Sequence, residues 1–208
     1  LKVVLQRVPV WATNLTSVIK GEEFISPPLV VSDKIYAFSE GCKIVCIRST
    51  DGRVLWSYDT KGEGFFGTNA AYCNGKLVVV TDRKMVLLNS NDGTLAKTIS
   101  LNEDEKFYSD PVVDENDNVY VIKCRCNITL AKYDQTLNPI WETNMSEFLG
   151  GGELFTPAYS NGLLYIAGKW YDRERLMFVG KFFVINATDG TIVRDITNTK
   201  DSYISPPI

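Results

Sequence analysis

The chain has 208 residues, 45% of them hydrophobic and 23% charged, which is typical of a folded globular protein and excludes a wholly disordered one. Its 25 acidic residues outnumber its 22 basic ones, which argues against a protein that binds nucleic acid through a general basic face. The chain contains no histidine, so Ser-His-Asp and Cys-His catalysis and histidine-ligated zinc are excluded within it.

Four stretches of the sequence share one pattern, which repeats with a period of about 40–47 residues. In chain order, each stretch has a short apolar strand, a turn rich in Asn, Asp or Gly, and a second strand. A third strand then leads to a tight turn, which reads Asp-Gly in three of the stretches, and to a fourth strand. No stretch keeps a helical period of apolar residues over several turns. The predicted units cover residues 26–60, 68–101, 109–145 and 156–198.

Four short antiparallel strands in about 40–45 residues are typical of a β-propeller blade. A single four-stranded sheet leaves two faces uncovered, and stacking similar sheets around an axis covers both. A two-sheet sandwich is the alternative, although it does not require a regular internal repeat. We therefore predict an all-β fold, a single partial β-propeller domain over residues 1–208 with four complete blades.

The two ends of the chain fit the same repeat. Trp11 takes the place that Trp56 and Trp141 have in the fourth strands, and Ser205 opens a further copy with the letters SPPI. These end strands predict flanking blades, so we expect the chain to be a segment of a longer propeller. The alternative is a shorter assembly in which another subunit supplies the missing blades.

The stretch Ser49–Trp56, which reads STDGRVLW, resembles the quinoprotein-type repeat. In that repeat, named after pyrroloquinoline quinone (PQQ), a strand reading roughly A-L-D-x-x-T-G-K-x-x-W closes each blade. Members of the family are propellers of seven or eight blades. Some are PQQ dehydrogenases and others are non-catalytic, such as the lipoprotein propeller of the outer-membrane assembly machinery. The resemblance implies structural roles for the docking tryptophans and the turn glycines, Trp11, Trp56, Trp141, Gly52, Gly93 and Gly190.

The chain departs from the family pattern in several places. Lys97 and Arg194 stand where the docking tryptophan is expected, so those two junctions should pack differently. The dehydrogenases use an adjacent pair of cysteines and a carboxylate-held Ca²⁺, and the nearest approach to the pair is Cys124-Arg125-Cys126. We therefore expect no cofactor and favour the non-catalytic branch. The motif aspartate is replaced in all four units, by Arg48, Asn89, Lys132 and Asn186.

The predicted loops between blades combine acidic and aromatic residues. In propellers these loops share one face with the loops between second and third strands, and rigid aromatic rings beside carboxylates would suit a basic protein or peptide. The alternative is that the rings wedge between blades and the acids are only solvated. The candidate contacts are Glu22, Glu23, Phe24, Glu63, Phe65, Phe66, Glu105, Phe107 and Tyr108.

The loop between the second and third strands of the fourth unit, residues 168–180, is longer than its counterparts. Aromatic and arginine side chains on an exposed loop are typical contact anchors. The alternative is an extended hairpin that packs on its own blade. The candidate contacts are Trp170, Tyr171, Arg173 and Arg175.

The five cysteines are predicted to be buried thiols, with a disulfide across blades as the alternative, and zinc is disfavoured. Residues 114–118 resemble the start of a calcium loop but lack its glycine and distal glutamate, so they predict a turn. Four Asn-X-Ser/Thr sequons favour a glycoprotein of an extracytoplasmic compartment, secretory or periplasmic. The candidate glycosylation sites are Asn14, Asn127, Asn144 and Asn186.

Together these features favour a non-catalytic scaffold that binds a protein or peptide through an acidic-aromatic loop face. No nucleic-acid partner and no transmembrane segment are expected. One alternative is a segment of a PQQ-dependent dehydrogenase whose cofactor residues lie outside this chain. Another is a lectin-like or small-ligand propeller.

Overall fold

The computed structural model describes residues 11–20, 22–24, 27–61, 70–125, 127–145, 153–172, 174 and 176–198. Within them the chain forms one short helix, α1 (Thr16–Ile19), and eighteen β-strands in four sheets. Sheet 1 contains β1 (Leu29–Val31), β2 (Lys34–Phe38), β3 (Lys43–Arg48) and β4 (Val54–Asp59). Sheet 2 contains β5 (Ala71–Cys73), β6 (Lys76–Val80), β7 (Lys84–Asn89) and β8 (Leu95–Ser100). Sheet 3 contains β9 (Lys106–Phe107), β10 (Val112–Val113), β11 (Val119–Cys124), β12 (Ile128–Tyr133) and β13 (Pro139–Asn144). Sheet 4 contains β14 (Glu153–Leu154), β15 (Ala158–Ser160), β16 (Leu163–Asp172), β17 (Met177–Asn186) and β18 (Ile192–Asn198).

Each sheet is built on an antiparallel meander of four strands, which confirms the predicted all-β fold. In sheets 3 and 4 the first strand is divided, because β9 and β10 both pair with β11, and β14 and β15 both pair with β16. The sequence pattern does not predict α1. This helix covers the outer face of sheet 1, where Ile19 packs with Val45 and Ile47.

The connections between strands alternate between two ends of each sheet, because successive strands of a meander run in opposite directions. The turn end carries the tight turns after the first and third strands of each meander. The loop end carries the connections between second and third strands, together with the segments that link one sheet to the next. The predicted contact residues that the structure describes belong to the loop end.

The hydrophobic core lies between neighbouring sheets. Leu77 and Val78 are consecutive in β6, and both are fully buried. Leu77 packs in a cluster with Tyr36 of sheet 1, whereas Val78 packs in a cluster with Val121 of sheet 3. Because alternate side chains of a strand point to opposite faces, the neighbouring sheets cover sheet 2 on both sides. A third cluster joins sheets 3 and 4 in the same way.

A tryptophan from one repeat packs on the turn glycine of the next repeat at several junctions. At the junction of sheets 1 and 2, the Trp56 indole N–H donates to the Ser90 carbonyl over 3.2 Å. Gly93 in the adjoining turn has φ +72°, and a Cβ there would lie 2.6 Å from the Trp56 ring. The glycine is therefore required both for its left-handed backbone and for the close approach of the ring. The same geometry joins Trp11 to Gly52 and Trp141 to Gly190.

The junction of sheets 2 and 3 differs, as expected from Lys97. The Lys97 ammonium donates to the Asn138 side-chain oxygen over 2.7 Å instead of filling the space of an indole ring. Leu137 occupies the turn beside it with φ +58°, in the place of the usual glycine. Its side chain is 1% exposed and packs in the core with Val78 and Leu87. Leu137 thus fills space that tryptophan takes at the other junctions.

The alignment of Lys132 with the motif aspartate is wrong. Lys132 pairs with Trp141 in the sheet, as Cys46 pairs with Trp56, so Lys132 lies within the strand and not at the turn. The turn that follows is shorter, because Tyr133 pairs with Pro139 across it. The residue at the motif position is Asp134, whose carboxylate accepts hydrogen bonds from Thr136 and Asn138.

Predictions about the flanking blades fall on residues 1–10 and 199–208, which lie outside the described residues. Trp11 is described, and it precedes α1 instead of lying in a strand. No sheet beyond sheet 4 occurs among the described residues, so the different packing expected at Arg194 stays a prediction.

Candidate functional site

Two of the segments that link the sheets, around Phe24 and Phe107, are fixed to the loop end by backbone pairing. The Glu40 amide donates to the Glu23 carbonyl over 2.8 Å, and Phe24 forms a bridge with Ser39. In sheet 3, Phe107 pairs with Lys123 at the corresponding place. These pairings place Glu23, Phe24 and Phe107 on paired backbone instead of on free loops.

The aromatic residues of these segments divide into buried and exposed groups. Phe107 is 2% exposed and packs between sheets 2 and 3, so it is not available to a partner. Its position agrees with the alternative in which the aromatic rings wedge between blades. Tyr108, the next residue, is 52% exposed, because neighbouring residues of an extended chain point to opposite sides. Phe24 occupies the same place in sheet 1 as Phe107 in sheet 3, yet it is 43% exposed.

Glu22 is engaged within the fold. Its carboxylate accepts a hydrogen bond from the Ser39 hydroxyl over 2.6 Å and forms an ion pair with Lys43. These bonds, from Lys43 first and Ser39 second, lower the pKa of Glu22. Gly41 leaves room for the carboxylate, since a Cβ there would lie 2.2 Å from its carbon atom. Glu22 therefore fixes the linking segment to the sheet.

The other described candidate acids differ in solvent exposure and in hydrogen bonding. Glu23 is exposed, whereas Glu105 is half-buried and accepts a hydrogen bond from the Asn102 side-chain amide over 2.8 Å. Near Glu105 an open groove of about 280 Å³ is lined by charged and polar side chains. Within the groove, Lys123 and Glu142 form an ion pair of 2.6 Å. The groove thus carries charges of both signs.

The long loop of the fourth unit forms an extended β-hairpin from β16 and β17, each ten residues long. Tyr171 and Phe178 face each other across it with their rings edge to face, 5.2 Å between centroids. The Trp170 side chain and residues Arg173 and Arg175 lie outside the described part of the structure. So do the predicted contacts Glu63, Phe65 and Phe66, and the cysteine Cys126.

A buried polar network between sheets 3 and 4 was missed by the sequence reasoning. The Asp114 carboxylate accepts hydrogen bonds from the Tyr120 hydroxyl, at 2.8 Å, and from the backbone and side chain of Asn118. Burial opposes ionisation of Asp114, but these bonds outweigh it and lower its pKa. The Lys132 ammonium donates to the Ala187 carbonyl over 2.8 Å. The resemblance of residues 114–118 to the start of a calcium loop was the feature of the sequence that could have indicated this network. In the structure they form a turn, and the Asp114 carboxylate accepts hydrogen bonds within it.

The cysteines differ in their surroundings. Cys46 and Cys73 are fully buried free thiols, and burial raises the pKa of each to about 11. Cys42 is also buried, but it precedes β3 with φ +66° and does not share a strand with Cys46. Cys124 is half-buried at the end of β11.

The four sequon asparagines are not equally accessible. Asn14, Asn127 and Asn144 are exposed. Asn186 is half-buried at the end of β17, and its side-chain oxygen accepts a hydrogen bond from the Thr188 amide over 2.8 Å. Glycosylation of all four stays a prediction.

Neither a metal centre nor a membrane-spanning helix is found in the part of the chain that the structure describes. Its acidic and cysteine side chains do not form a group of three that could hold a metal ion. No helix there is long and apolar enough to cross a bilayer.

Comparison with known proteins places these features in a family. The family model described as outer membrane protein assembly factor BamB matches residues 9–195. An uncharacterized protein of Rickettsia conorii is 25% identical over 190 residues, which are 88% of this chain and 43% of that protein. The chain therefore spans less than half of that relative.

Solved structures share the fold at low sequence identity. Quinohemoprotein alcohol dehydrogenase ADHIIG from Pseudomonas putida HK5 superposes with a TM-score of 0.68 at 17% identity, over 81% of this chain and 33% of that one. BamB from Moraxella catarrhalis superposes with a TM-score of 0.50 at 12% identity, over 79% of this chain and 61% of that one. These neighbours establish the fold, a segment of a β-propeller. With the family match over most of its length, the chain belongs to the BamB-like family of PQQ-type β-propeller repeats.

Proposed function

We propose that this chain is part of a non-catalytic propeller scaffold that binds a protein or peptide at its loop end. The observation that carries the proposal is the pair of neighbours Phe107 and Tyr108. Phe107 is buried between two sheets, and it fixes a backbone from which Tyr108 projects with half of its surface exposed. A tyrosine held in this way loses little conformational freedom on binding, so it is suited to anchor a partner.

The acidic part of the face is smaller than the sequence suggests. Glu22 is engaged with Lys43, and Asp104 forms an ion pair of 2.5 Å with Arg125. Glu23 is exposed and Glu105 is half-buried, and they remain the described acids proposed to attract a basic partner. Glu63, Phe65 and Phe66 belong to the proposal as sequence predictions.

The extended hairpin is the second predicted contact, and it emerges at the same loop end. Tyr171 is part of its exposed surface. Its chemical character differs from that of the linking segments, because its described exposed side chains are mostly apolar: Tyr171, Leu176, Met177 and Phe178, with one acid, Glu174. The two regions can therefore be tested separately.

A library of 12-residue peptides displayed on phage provides the test, since it requires no knowledge of the natural partner. The library is selected against the immobilised wild-type protein and counter-selected against Glu23→Lys/Tyr108→Ala. We expect enrichment of basic peptides whose dissociation constant rises about tenfold or more in the variant, with a smaller ratio in 500 mM salt.

Tyr72→Ala is the matched control, because Tyr72 is also exposed but lies near the turn end. This variant should bind the selected peptides as the wild type does. If no peptide is enriched over the counter-selection, or if Tyr72→Ala weakens binding equally, the loop-end site is wrong. Matched thermal unfolding curves for the variants exclude misfolding as the cause.

The dehydrogenase alternative has no specific observation in its favour. The dehydrogenase structure resembles this chain at 17% identity, a level that carries the fold alone. Fold does not determine function in propellers, which host many unrelated activities. The alternative therefore stays a prediction about residues outside this chain.

A further inference from the structure

One face of sheet 4 has no layer packed on it among the described residues. Phe183 points toward sheet 3 and packs in the cluster that joins the two sheets. Its neighbours Phe182 and Val184 point the other way, because side chains alternate along a strand, and both are only partly buried. Tyr165 pairs with Val184, and Ile196, which pairs with Phe182, is 45% exposed. These four side chains belong to one apolar face, the open face, and such faces are normally covered by another layer.

The open face has the positions that the other sheets use to pack on the sheet that follows them. In sheet 1, Tyr36 pairs with Cys46 and Cys46 pairs with Trp56, and all three are buried in the cluster with sheet 2. The corresponding row of sheet 4 is Tyr165, Val184 and Arg194. The open face therefore has the pattern of a surface that packs on another sheet of this repeat.

A second copy of this chain offers no free turn to that surface. The part of a sheet that meets the docking residue of the preceding sheet is the turn between its third and fourth strands. The four described turn residues and the side chains that pack on them are Gly52 with Trp11, Gly93 with Trp56, Leu137 with Leu87, and Gly190 with Trp141. The outer face of sheet 1 is also covered, because Ile19 of α1 packs on Val45 and Ile47. The sheet that covers the open face is therefore a different repeat.

Arg194 stands at the position of the docking tryptophan on the open face. It is exposed, and it makes no hydrogen bond or ion pair within the described part of the chain. Lys97 stands at the same position in sheet 2, where the covering turn supplies the buried Leu137 and Asn138 accepts the hydrogen bond of the lysine. Neither lysine nor arginine has a ring to cover a turn glycine, so close packing requires a large side chain from the other sheet.

We infer that the open face is covered by a further sheet of this repeat whose turn is of the Leu137 kind. The residue at its glycine position is large and apolar, and it fills the space that an indole ring takes at the other junctions. The residue after it carries a side-chain oxygen that accepts hydrogen bonds from the Arg194 guanidinium, as Asn138 accepts from Lys97. Arg194 thus selects which repeat can follow sheet 4. This inference does not depend on the peptide site at the loop end.

A display library of extended chains tests the inference. Residues 205–208 correspond to residues 109–112, so the full chain is extended after Ile208 by a copy of residues 113–145. The two positions of the copy that correspond to Leu137 and Asn138 are randomised, and yeast cells that keep a C-terminal tag under protease are sequenced. We expect large apolar residues at the first position and Asn or Asp at the second. The ratio of leucine to glycine at the first position should be about tenfold or more higher than in the Arg194→Trp background, which restores the partner of a turn glycine.

Val193→Trp is the matched control. Val193 is the neighbouring residue of β18 and is 59% exposed, but its side chain points to the other side of the strand. This background should select the same turn residues as the wild type. Enrichment of glycine beside Arg194 overturns the inference, and so does an equal preference in all three backgrounds. If no turn sequence is enriched, the copied sheet does not pack on the open face, and the inference is wrong as well.

Discussion

The junction between sheets 1 and 2 and the junction between sheets 2 and 3 solve the same packing problem in opposite ways. At the first, a large side chain from the strand, Trp56, meets the smallest residue at the turn, Gly93. At the second, the strand offers Lys97, which extends to Asn138, and the turn supplies the buried Leu137. In each case one side of the junction is large and the other leaves room.

The comparison shows that packing at a junction depends on the strand residue and the turn residue together, more than on either motif residue alone. Protein interiors are close-packed, so a missing indole ring leaves a void unless another side chain enters it. Leu137 enters that space at the cost of a left-handed backbone. A repeat can thus lose both its tryptophan and its glycine and still stack on its neighbour.

The largest expected effect comes from forcing one arrangement into the other. Gly93→Leu should lower the free energy of unfolding by about 4 kcal/mol, from backbone strain and from collision with the Trp56 ring. Trp56→Lys alone should cost about 3–5 kcal/mol. The double variant imitates the Lys97–Leu137 pair, so its loss should fall at least about 2 kcal/mol short of the sum. Urea unfolding of the four proteins measures this coupling.

Gly75→Leu separates strain from collision. Gly75 has φ +73°, but a Cβ there would meet nothing within 4 Å. It should cost only the strain, about 1–2 kcal/mol, and Trp56→Lys should not rescue it. A double variant at Gly93 whose loss equals the sum of the single losses would show that size complementarity does not govern the junction.

The second comparison weighs the two sides of the exceptional junction. Leu137→Ala should cost about 3 kcal/mol, because it opens a cavity at a fully buried position. Lys97→Ala should cost less than about 1 kcal/mol, because it removes a single exposed hydrogen bond to Asn138. Denaturant midpoints at constant slope provide the measurement. Equal losses for the two variants would mean that Lys97 fills the space through its aliphatic stem.

The sequence was sufficient for the strand order and for the tryptophan positions, because apolar alternation and turn residues repeat with regular spacing. It was insufficient where a single residue changes the outcome. The third turn is shorter, and this displaced the alignment from Asp134 to Lys132. Phe107 is buried, whereas Tyr108, the next residue, is exposed. The strand that ends at Phe107 has only two residues, which is too short to show the alternation from which burial could be predicted. Tertiary contacts decide such positions.

The smallest expected effect is a pH dependence confined to that shorter turn. Desolvation opposes ionisation of Asp134, but hydrogen bonds from Asn138 and Thr136 outweigh it and lower its pKa to about 2. At the corresponding place the other turns have uncharged Asn89 and Asn186, or Arg48. Because the folded-state pKa lies below the unfolded value, the ionised carboxylate stabilises the protein above about pH 4. That contribution is lost as the pH falls toward 2.

Asp134→Asn makes the turn resemble its uncharged counterparts and isolates this contribution. The wild type should be more stable than the variant at pH 5, and the difference should shrink steadily between about pH 4 and pH 2. Denaturant titrations of both proteins at several pH values measure it, and the acid response of all other groups cancels in the difference. A difference that stays constant down to pH 2 would mean that the hydrogen bonds of the turn do not depend on the charge of Asp134.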